Sequence, residues 1–256
     1  MAQDLTFQTT VSGHTSNGVE LRGIPLEELI TEADFVSTVF LSLTGNKPTA
    51  PQKKLFNAIL VASIDHGIQP ASGFVPRVVA ASGNDILTAM ASTLLALGPY
   101  HGGALTPAME VFAQISTNGG SDVEVAALAL IKEYRNSKRR VPGFGHPQYT
   151  HQDPRTQQLF ALAREAGLEQ RFIDIALTVE TVLEQELGRK LVLNIDGAIA
   201  ALFLTFGFEP RVGNALFGLA RVAGSIAHIA EEQGSGNWVR RLSNEAVTYT
   251  RSDAAK

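Results

Sequence analysis

Apolar side chains recur at helical spacing along most of this chain, and this periodicity limits the folds open to it more than any other feature. In the segment Thr31–Leu43 they fall on one face of a helix, at Phe35, Val36, Val39, Phe40 and Leu43. Thr31 is a suitable cap for this helix and Gly45 a suitable stop. The same pattern predicts further helices at Lys54–Ser63, Asp85–Leu97, Pro107–Ser116, Asp122–Tyr134, Thr156–Ala166, Arg171–Leu187, Asp196–Phe206 and Val212–Glu232.

No segment shows a convincing alternation of apolar and polar residues, so the sequence predicts an all-α protein. The segments Asp196–Phe206 and Asn214–Ala230 are apolar on most faces and should form the centre, with Thr31–Leu43 and Arg171–Leu187 outside them. A chain of 256 residues with 45% hydrophobic content can bury a sizeable core. We therefore expect one domain over residues 1–256, with a smaller subdomain at about 104–210.

The charge balance and the lack of cysteine exclude several kinds of site. The chain has 21 Lys and Arg against 25 Asp and Glu, and no basic block is interleaved with aromatic residues, so we expect no nucleic-acid partner. Without cysteine there are no disulfides, zinc–thiolate sites or thiol nucleophiles, which is compatible with a reducing cytoplasm. The first residues lack a signal-peptide pattern, and no stretch approaches the ~20 apolar residues of a membrane helix. We expect a soluble, cytoplasmic protein with no membrane partner.

Three side chains that can move protons, His101, His146 and Asp196, lie on or beside glycine-rich turns. The segments that carry them are GPYHGGA at Gly98–Ala104, VPGFGHPQYTHQDPR at Val141–Arg155 and LNIDG at Leu193–Gly197. Two imidazoles and a carboxylate suffice to make or break a carbon–carbon bond next to a thioester, because that chemistry needs proton transfers and stabilisation of an enol oxygen. We expect no metal and no organic prosthetic group.

Taken together, these motifs resemble the citrate synthase superfamily, in particular its short citryl-CoA lyase members and the C-terminal lyase module of ATP-citrate lyase. Besides the three segments above, the resemblance rests on Leu21–Leu29, Ala33–Pro48, Ala62–Gly67 and Ala215–His228. The motifs follow one another in the family order over nearly the whole chain. Full-length synthases carry a longer helical stretch after the position of Gly45, and its lack here favours the short lyase-like branch. The resemblance implies a citrate synthase-like helical fold, truncated relative to full-length synthases.

The resemblance makes His101, His146 and Asp196 the catalytic set. Cleavage of a 3-hydroxy acyl thioester needs a base at the hydroxyl, a donor at the thioester oxygen and an acid that reprotonates the departing carbon. We assign these roles to His146, His101 and Asp196 respectively. In the synthetic direction Asp196 removes the acetyl proton and His146 protonates the new alkoxide.

The resemblance also implies a set of substrate-binding residues. His66, Arg155 and Arg221 match positions that hold the carboxylates and hydroxyl of a citrate-like substrate, and the planar guanidinium suits a carboxylate. A further arginine in the family reaches in from the neighbouring subunit; its match here is Arg241, with Arg240 beside it. The resemblance therefore implies a homodimer or higher homo-oligomer.

A coenzyme A site is implied at Pro142, Gly143, Phe144 and Gly145. This turn follows the basic run Lys138–Arg140 and resembles the family's CoA-binding loop, where backbone groups meet adenine and basic side chains meet phosphates. The sequence leaves open which side chains bind the phosphates.

Three functions remain open from the sequence. The first is cleavage of citryl-CoA, or of a close 3-hydroxy-3-carboxy acyl-CoA, to acetyl-CoA and oxaloacetate. The second is condensation of an acyl-CoA with oxaloacetate by a citrate or methylcitrate synthase. His101 keeps this function open, because it is the residue that resembles the synthases, whereas the lyase module of ATP-citrate lyase has phenylalanine at this position. The third is a non-catalytic module that binds a CoA ester or citrate. The remaining histidines, His14, His151 and His228, are expected to be structural.

Overall fold

The computed structural model describes residues 6–16, 18–120 and 122–250. Over these residues the secondary structure is almost entirely helical. The strands are β1 (Ser12–Thr15), β2 (Gly18–Leu21) and β3 (Ile24–Pro25). The helices are α1 (Leu26–Glu32), α2 (Phe35–Thr44), α3 (Ala50–Ser63), α4 (Ala71–Ala81), α5 (Ile86–Leu95), α6 (Leu105–Asn118), α7 (Val123–Asn136), α8 (Pro154–Glu165), α9 (Arg171–Leu187), α10 (Ile195–Thr205) and α11 (Gly213–Gly234).

The chain divides into two compact units. The first unit takes the described residues up to Ser63 together with Gly102–Phe217. The second takes Ile64–His101 together with the described residues from Gly218 onward, so the boundary falls inside α11. The predicted subdomain at about 104–210 is not tested by this division and stays a prediction.

Polar side chains fix the starts of several helices. Asp34, Asp85 and Asp122 accept hydrogen bonds from backbone N–H groups in the first turns of α2, α5 and α7, which satisfies donors that have no partner within the helix. Gly45 ends α2 in the left-handed region at φ 78°, as the sequence predicts. Thr31 lies within α1 and does not cap α2. α1 ends at Glu32, and Asp34 caps α2.

The core of the first unit forms around α6 and α10, which pack on each other while α8 and α9 pack on α10. Five aromatic rings pack together in this core. They meet edge to face or tilted, with the centroids of contacting rings 5.3–6.2 Å apart: Phe40, Phe56, Phe203, Phe206 and Phe208. Such packing supplies much of the free energy that favours folding. α10 is the central helix that its sequence predicts, since residues 197–203 are all buried.

In the second unit, α4 packs on α5 and both contribute to a small cluster with α11. Ala80, Ala89 and Ile229 form that cluster and are fully buried. A buried hydrogen bond of 2.9 Å between Thr93 and Ser225 joins α5 to α11. The small side chains allow these helices to approach one another closely.

The structure corrects four expectations about the fold. β1, β2 and β3 form a small antiparallel sheet, although the all-α class itself is confirmed. α4 was missed because Pro76 and Gly73 interrupt its helical pattern. α9 is not an outer helix, since it buries six residues against its neighbours. α11 leaves much of its apolar surface exposed.

The prediction that no apolar segment is long enough to span a membrane is wrong, because one helix among the described residues meets that criterion. The stretch Pro210–Gly234 is long and apolar enough to span a bilayer by length and composition alone. Core helices of soluble proteins meet the same criterion, and this helix carries a buried arginine, Arg221, and a buried glutamate, Glu232.

Candidate active site

In the first unit, the turn Pro142–Gly145 is docked on the segment that leads into α10. The backbone N–H of Asn194 donates to the carbonyl of Gly143 at 3.0 Å, and the Asn194 side chain donates to the carbonyl of Gly145 at 2.9 Å. Gly143 has φ +86°, and a Cβ there would lie 2.8 Å from the Cα of Gly197. Both glycines are therefore needed for the close approach of the two segments.

Asp196 lies in the first turn of α10. The side chain of Asn194 caps this helix and accepts the N–H groups of Asp196 and Gly197, each at 3.1 Å. A carboxylate in the first turn of a helix is stabilised by the positive end of the helix dipole. Asn194 is thus the cap of α10, and Asp196 is the acidic residue of its first turn.

A buried carboxylate, Asp153, organises the residues around Asp196. It accepts two hydrogen bonds from the Arg155 guanidinium, at 3.1 Å from Nε and 2.8 Å from Nη2, and one from the Arg155 backbone at 3.0 Å. It also accepts the N–H of Ile195 at 3.2 Å. Burial acts to raise the pKa of Asp153, but the hydrogen bonds from Arg155 and the positive charge of Arg155 hold that pKa below its ordinary value.

The same pair fixes the charge of Arg155. The hydrogen bond that Arg155 donates to Asp153 raises the pKa of Arg155 above its ordinary value, and burial only partly opposes this; Asp196 adds a smaller attraction. Arg155 is thus a permanent cation beside the carboxylate of Asp196.

The hydrogen bonds of His146 assign its tautomer. Its Nδ1 accepts the backbone N–H groups of Gln148 and Tyr149 at 3.0 and 3.1 Å, which leaves the proton of the neutral ring on Nε2. Tyr149 also stacks on the ring, with centroids 4.4 Å apart. Nε2 lies 3.4 Å from Nη2 of Arg155, so two N–H donors stand side by side. A pair of donors at this spacing suits an anionic oxygen that both can reach.

A cavity of about 670 Å³ opens beside His146 within the first unit. Apolar side chains such as Phe144 and Leu191 line it, and five basic residues surround it: Arg135, Lys138, Arg139, Arg140 and Arg189. Arg139 is engaged by Glu133 and lies over the Tyr134 ring. In the part of the chain that the structure describes, the side chains of Lys138, Arg140 and Arg189 make no ion pair or hydrogen bond. The cavity thus combines an apolar lining with three cationic side chains that no described residue engages.

In the second unit, Ser72 joins His101 to Arg221. Nη1 of Arg221 donates to the Ser72 hydroxyl at 2.8 Å, and that hydroxyl lies 2.8 Å from Nε2 of His101. The backbone N–H of Ser72 also donates to this nitrogen at 3.3 Å. Nε2 therefore accepts, and the proton of the neutral ring lies on Nδ1. Burial lowers the pKa of His101, and the charges of Arg221 and His66 lower it further, so the ring is neutral at pH 7.

Arg241 lies in an irregular segment after α11, and two contacts hold this segment against the rest of the second unit. The backbone N–H of Val239 donates to the carbonyl of Ala81 at 2.8 Å, and Arg240 forms an ion pair with the buried Glu232. Arg241 itself is exposed and has no hydrogen bond or ion pair with any described residue.

The predicted site residues thus fall into two groups. His146, Arg155, Asp196 and the turn Pro142–Gly145 belong to the first unit. The residues of the second unit are His66, His101, Arg221 and Arg241. The sequence analysis missed Ser72, Tyr149 and the anchoring role of Asp153. Only Asp153 carried a local signal, since an Asp-Pro pair marks a capped helix start.

Among the residues that the structure describes, no three His, Asp or Glu side chains are grouped as a metal site requires. The expectation that no metal or prosthetic group takes part stays a prediction.

Comparison with known proteins gives consistent matches. Residues 31–242 match the family described as "Citrate synthase, C-terminal domain". Citrate synthase 2 of Bacillus subtilis is 29% identical over 84% of this chain and 55% of its own length. The structure of citryl-CoA lyase from Hydrogenobacter thermophilus is 35% identical, covers 98% of this chain and 96% of that one, and superposes with a TM-score of 0.88.

A third likeness is to the fold alone. ATP citrate lyase of Methanosaeta concilii, solved in complex with (3S)-citryl-CoA, is 22% identical over 99% of this chain and 43% of its own, with a TM-score of 0.81. The chain spans a little more than half the length of the synthase it matches.

Proposed function

This chain belongs to the citrate synthase family, as its sequence predicts, and we propose that it cleaves citryl-CoA to acetyl-CoA and oxaloacetate. The citrate synthase-like fold expected from the motifs is confirmed by the same likenesses. The observation that carries the proposal is the 35% identity and TM-score of 0.88 with citryl-CoA lyase. The match to the Bacillus subtilis synthase is weaker, at 29% identity.

The proposed reaction conserves atoms and charge. The hydroxyl proton of citryl-CoA passes to the base, the role assigned to His146, and its oxygen becomes the keto oxygen of oxaloacetate as the carbon–carbon bond breaks. The electron pair of that bond enters the thioester as an enolate. Asp196, which must enter this step protonated, delivers its proton to the enolate carbon, and the proton held by the base returns through solvent to Asp196 for the next turnover. The Nδ1–H of His101 donates to the thioester oxygen, where the negative charge accumulates.

Hydrogen-bond donors near Asp196 support the proposal that the anionic end of the substrate binds there. Arg155 and the Nε2–H of His146 are suited to a carboxylate or the oxygen on the carbon that is cleaved, and Arg221 is suited to a second carboxylate. In the described tautomer His146 is a donor. Removal of the hydroxyl proton by His146 stays a prediction, and it requires Nδ1 to release the N–H groups of Gln148 and Tyr149.

We propose that the cavity beside His146 takes coenzyme A. Its apolar lining suits the adenine and the pantetheine arm, and Lys138, Arg140 and Arg189 suit the phosphates. Arg140→Ala and Arg189→Ala should each raise the KM for CoA esters about tenfold, because each removes a charge-assisted contact. Arg211→Ala is a matched control, since Arg211 is an exposed arginine outside this cavity.

We further propose a homodimer in which Arg241 acts on the partner's substrate. Arg240 is engaged by Glu232, which leaves Arg241 as the available guanidinium of the pair. Leu87, Leu94 and Leu95 on α5 are 71%, 51% and 85% exposed, and an apolar surface of this kind favours self-association. Sedimentation should report a dimer. A cytoplasmic location, to be checked by cell fractionation, completes the proposal.

Mixing two inactive variants tests the shared site. Asp196→Asn and Arg241→Ala each inactivate their own homodimer if both groups are needed. In mixed dimers, one of the two sites has an intact Asp196 and receives an intact Arg241, so statistical exchange restores about a quarter of wild-type activity. If Arg241 acts within its own chain, every site keeps a defect and no activity returns.

Three parallel assays separate the candidate functions. Oxaloacetate released from synthetic citryl-CoA supports cleavage. Citrate and free CoA from acetyl-CoA with oxaloacetate support condensation, the second candidate, which the likeness to citrate synthases favours. Tight binding of CoA esters with no turnover in either mixture would replace both by the binding module.

A further inference from the structure

A single carboxylate, Asp65, connects His66 to α11 within the second unit. Nε2 of His228 lies 3.1 Å from Oδ1 of Asp65. Partial burial acts to raise the pKa of Asp65, but hydrogen bonds from the backbone of His66, the ring of His228 and the backbone of Gly67 hold it below its ordinary value. Asp65 is therefore ionised at pH 7 and binds the backbone that carries His66 on one side and the His228 ring on the other.

The backbone around Asp65 is held at both ends by glycines. A Cβ on Gly224 of α11 would lie 2.1 Å from the carbonyl oxygen of Ile64, and a Cβ on Gly73 of α4 would lie 2.3 Å from that of Gly67. Gly67 has φ +75°, which favours glycine. Ile64 and Gly67 thus rest directly on helix backbone, whereas Asp65 between them is held by its side-chain contact with His228.

His228 and Arg221 lie on one face of α11, because they are seven residues, or about two helical turns, apart. Arg221 contacts Ser72, and through it His101, while His228 contacts Asp65. One helix therefore supports both the imidazole proposed to act on the thioester and the segment that carries His66.

We propose that His228 is a positioning residue that holds His66, through Asp65, in the place from which it binds the carboxylate end of the substrate. The proposal rests on the proposed function for the role of His66, but not for the contact itself. It assigns a task to a histidine that the sequence analysis left as structural. The Asp65 carboxylate can only accept, so the ring nitrogen of His228 is the donor in this contact.

The contact between His228 and Asp65 orients the segment that carries His66 and adds little to the free energy of unfolding. The side chains of His228 and Asp65 are 21% and 41% exposed, and ion pairs at such positions add little to stability because water competes for both groups. Loss of His228 should therefore leave the melting temperature nearly unchanged while the segment around His66 becomes looser.

The test compares three variants on α11. His228→Ala removes the donor, and His228→Gln restores a side-chain N–H. Gln233→Ala is the matched control, because Gln233 also makes one side-chain hydrogen bond from α11 to a loop carbonyl, that of Asn84 at 3.1 Å. Hydrogen–deuterium exchange of a peptide spanning residues 64–70 is followed by mass spectrometry, and KM and kcat are measured with citryl-CoA and with oxaloacetate plus acetyl-CoA.

In His228→Ala, exchange at residues 64–70 should become about tenfold faster, because a charge-assisted hydrogen bond is lost. The KM for citryl-CoA and oxaloacetate should rise about tenfold with a smaller fall in kcat, since the substrate-binding group is displaced and the catalytic groups are not. His228→Gln should recover most of both losses, and Gln233→Ala should change neither quantity.

Unchanged exchange in His228→Ala overturns the proposal whatever the kinetics. Faster exchange with an unchanged KM also overturns it, because His66 would then not depend on the contact. Should the wild-type protein turn over neither substrate set, the proposed function fails. The Asp65–His228 contact is then still judged by exchange, and its effect on His66 by the dissociation constant for oxaloacetate.

Discussion

Replacement of Asp153 by Asn tests the anchoring role of this carboxylate. Asp153 is 1% exposed and accepts four hydrogen bonds, three from Arg155 and one from Ile195. The amide keeps one acceptor oxygen but presents an NH2 group to donors and leaves the guanidinium uncompensated. Removing one partner of a buried pair costs about 3–5 kcal/mol, and we take about 3 because the Arg155 side chain is 32% exposed and partly solvated.

For a chain of this size, about 3 kcal/mol corresponds to a fall in melting temperature of roughly 6–12 °C. Urea unfolding at pH 7, followed by circular dichroism, measures the free energy, and calorimetry measures the melting temperature. Asp174→Asn is a matched control, since Asp174 is exposed on α9, and should cost less than about 0.5 kcal/mol.

The pH dependence of this difference has a definite sign. The folded-state pKa of Asp153 lies below its unfolded value, so the stabilisation is fully present above about pH 4–5 and is lost as pH falls through the folded-state pKa. The gap between wild type and Asp153→Asn should be constant from pH 8 to pH 5 and narrow at lower pH. An unchanged melting temperature, or a gap that widens in acid, would refute the anchoring role.

Three further predictions follow from the contacts of the two units. Ser72→Ala should lower kcat at least about tenfold and cost about 1–3 kcal/mol, because it removes the hydroxyl that joins the buried Arg221 to His101; Ser92→Ala, which loses only a bond within its own helix, should leave kcat unchanged in the same steady-state assay. Gly143→Ala should cost about 1–3 kcal/mol and weaken CoA binding measured by calorimetry, because φ is +86° and the Cβ would meet backbone; equal CoA affinity in this variant and in Gly13→Ala would contradict it. In the pH profile of kcat/KM, the acidic limb that reports His101 should have its midpoint below pH 6.5, the ordinary pKa of histidine, because burial and neighbouring positive charge lower the pKa of His101. A midpoint above pH 7 would argue against a neutral ring.

The helices that the sequence predicted are those with an uninterrupted apolar stripe. α9 has the predicted bounds, and α10 differs by one residue at each end. α4 was missed because Pro76 lies inside it, and its pattern depends on packing against α5. The strand β1 was missed because all four of its residues are exposed, so no apolar alternation marks it.

The candidate site was predictable only in part. The motifs indicate His101, His146 and Asp196 as candidates, because glycine-rich turns and a helix start leave local marks in the sequence, and their catalytic roles stay a prediction. The tautomers of the two histidines were not predictable, because they are set by contacts with Ser72 and with the backbone of Tyr149. Such contacts depend on how separate segments pack, which one sequence does not reveal.

The central claim is that the protein cleaves citryl-CoA and that Asp196 delivers a proton to the enolate carbon. Following that proton tests the claim most directly. When the purified protein cleaves citryl-CoA in D2O, the enolate carbon should take a deuteron through Asp196, so the acetyl-CoA formed carries one deuterium in its methyl group, as mass spectrometry can measure. Asp196→Asn should release oxaloacetate at least about a thousandfold more slowly. Oxaloacetate release by Asp196→Asn at the wild-type rate would contradict the account, as would the absence of any cleavage by the wild-type protein.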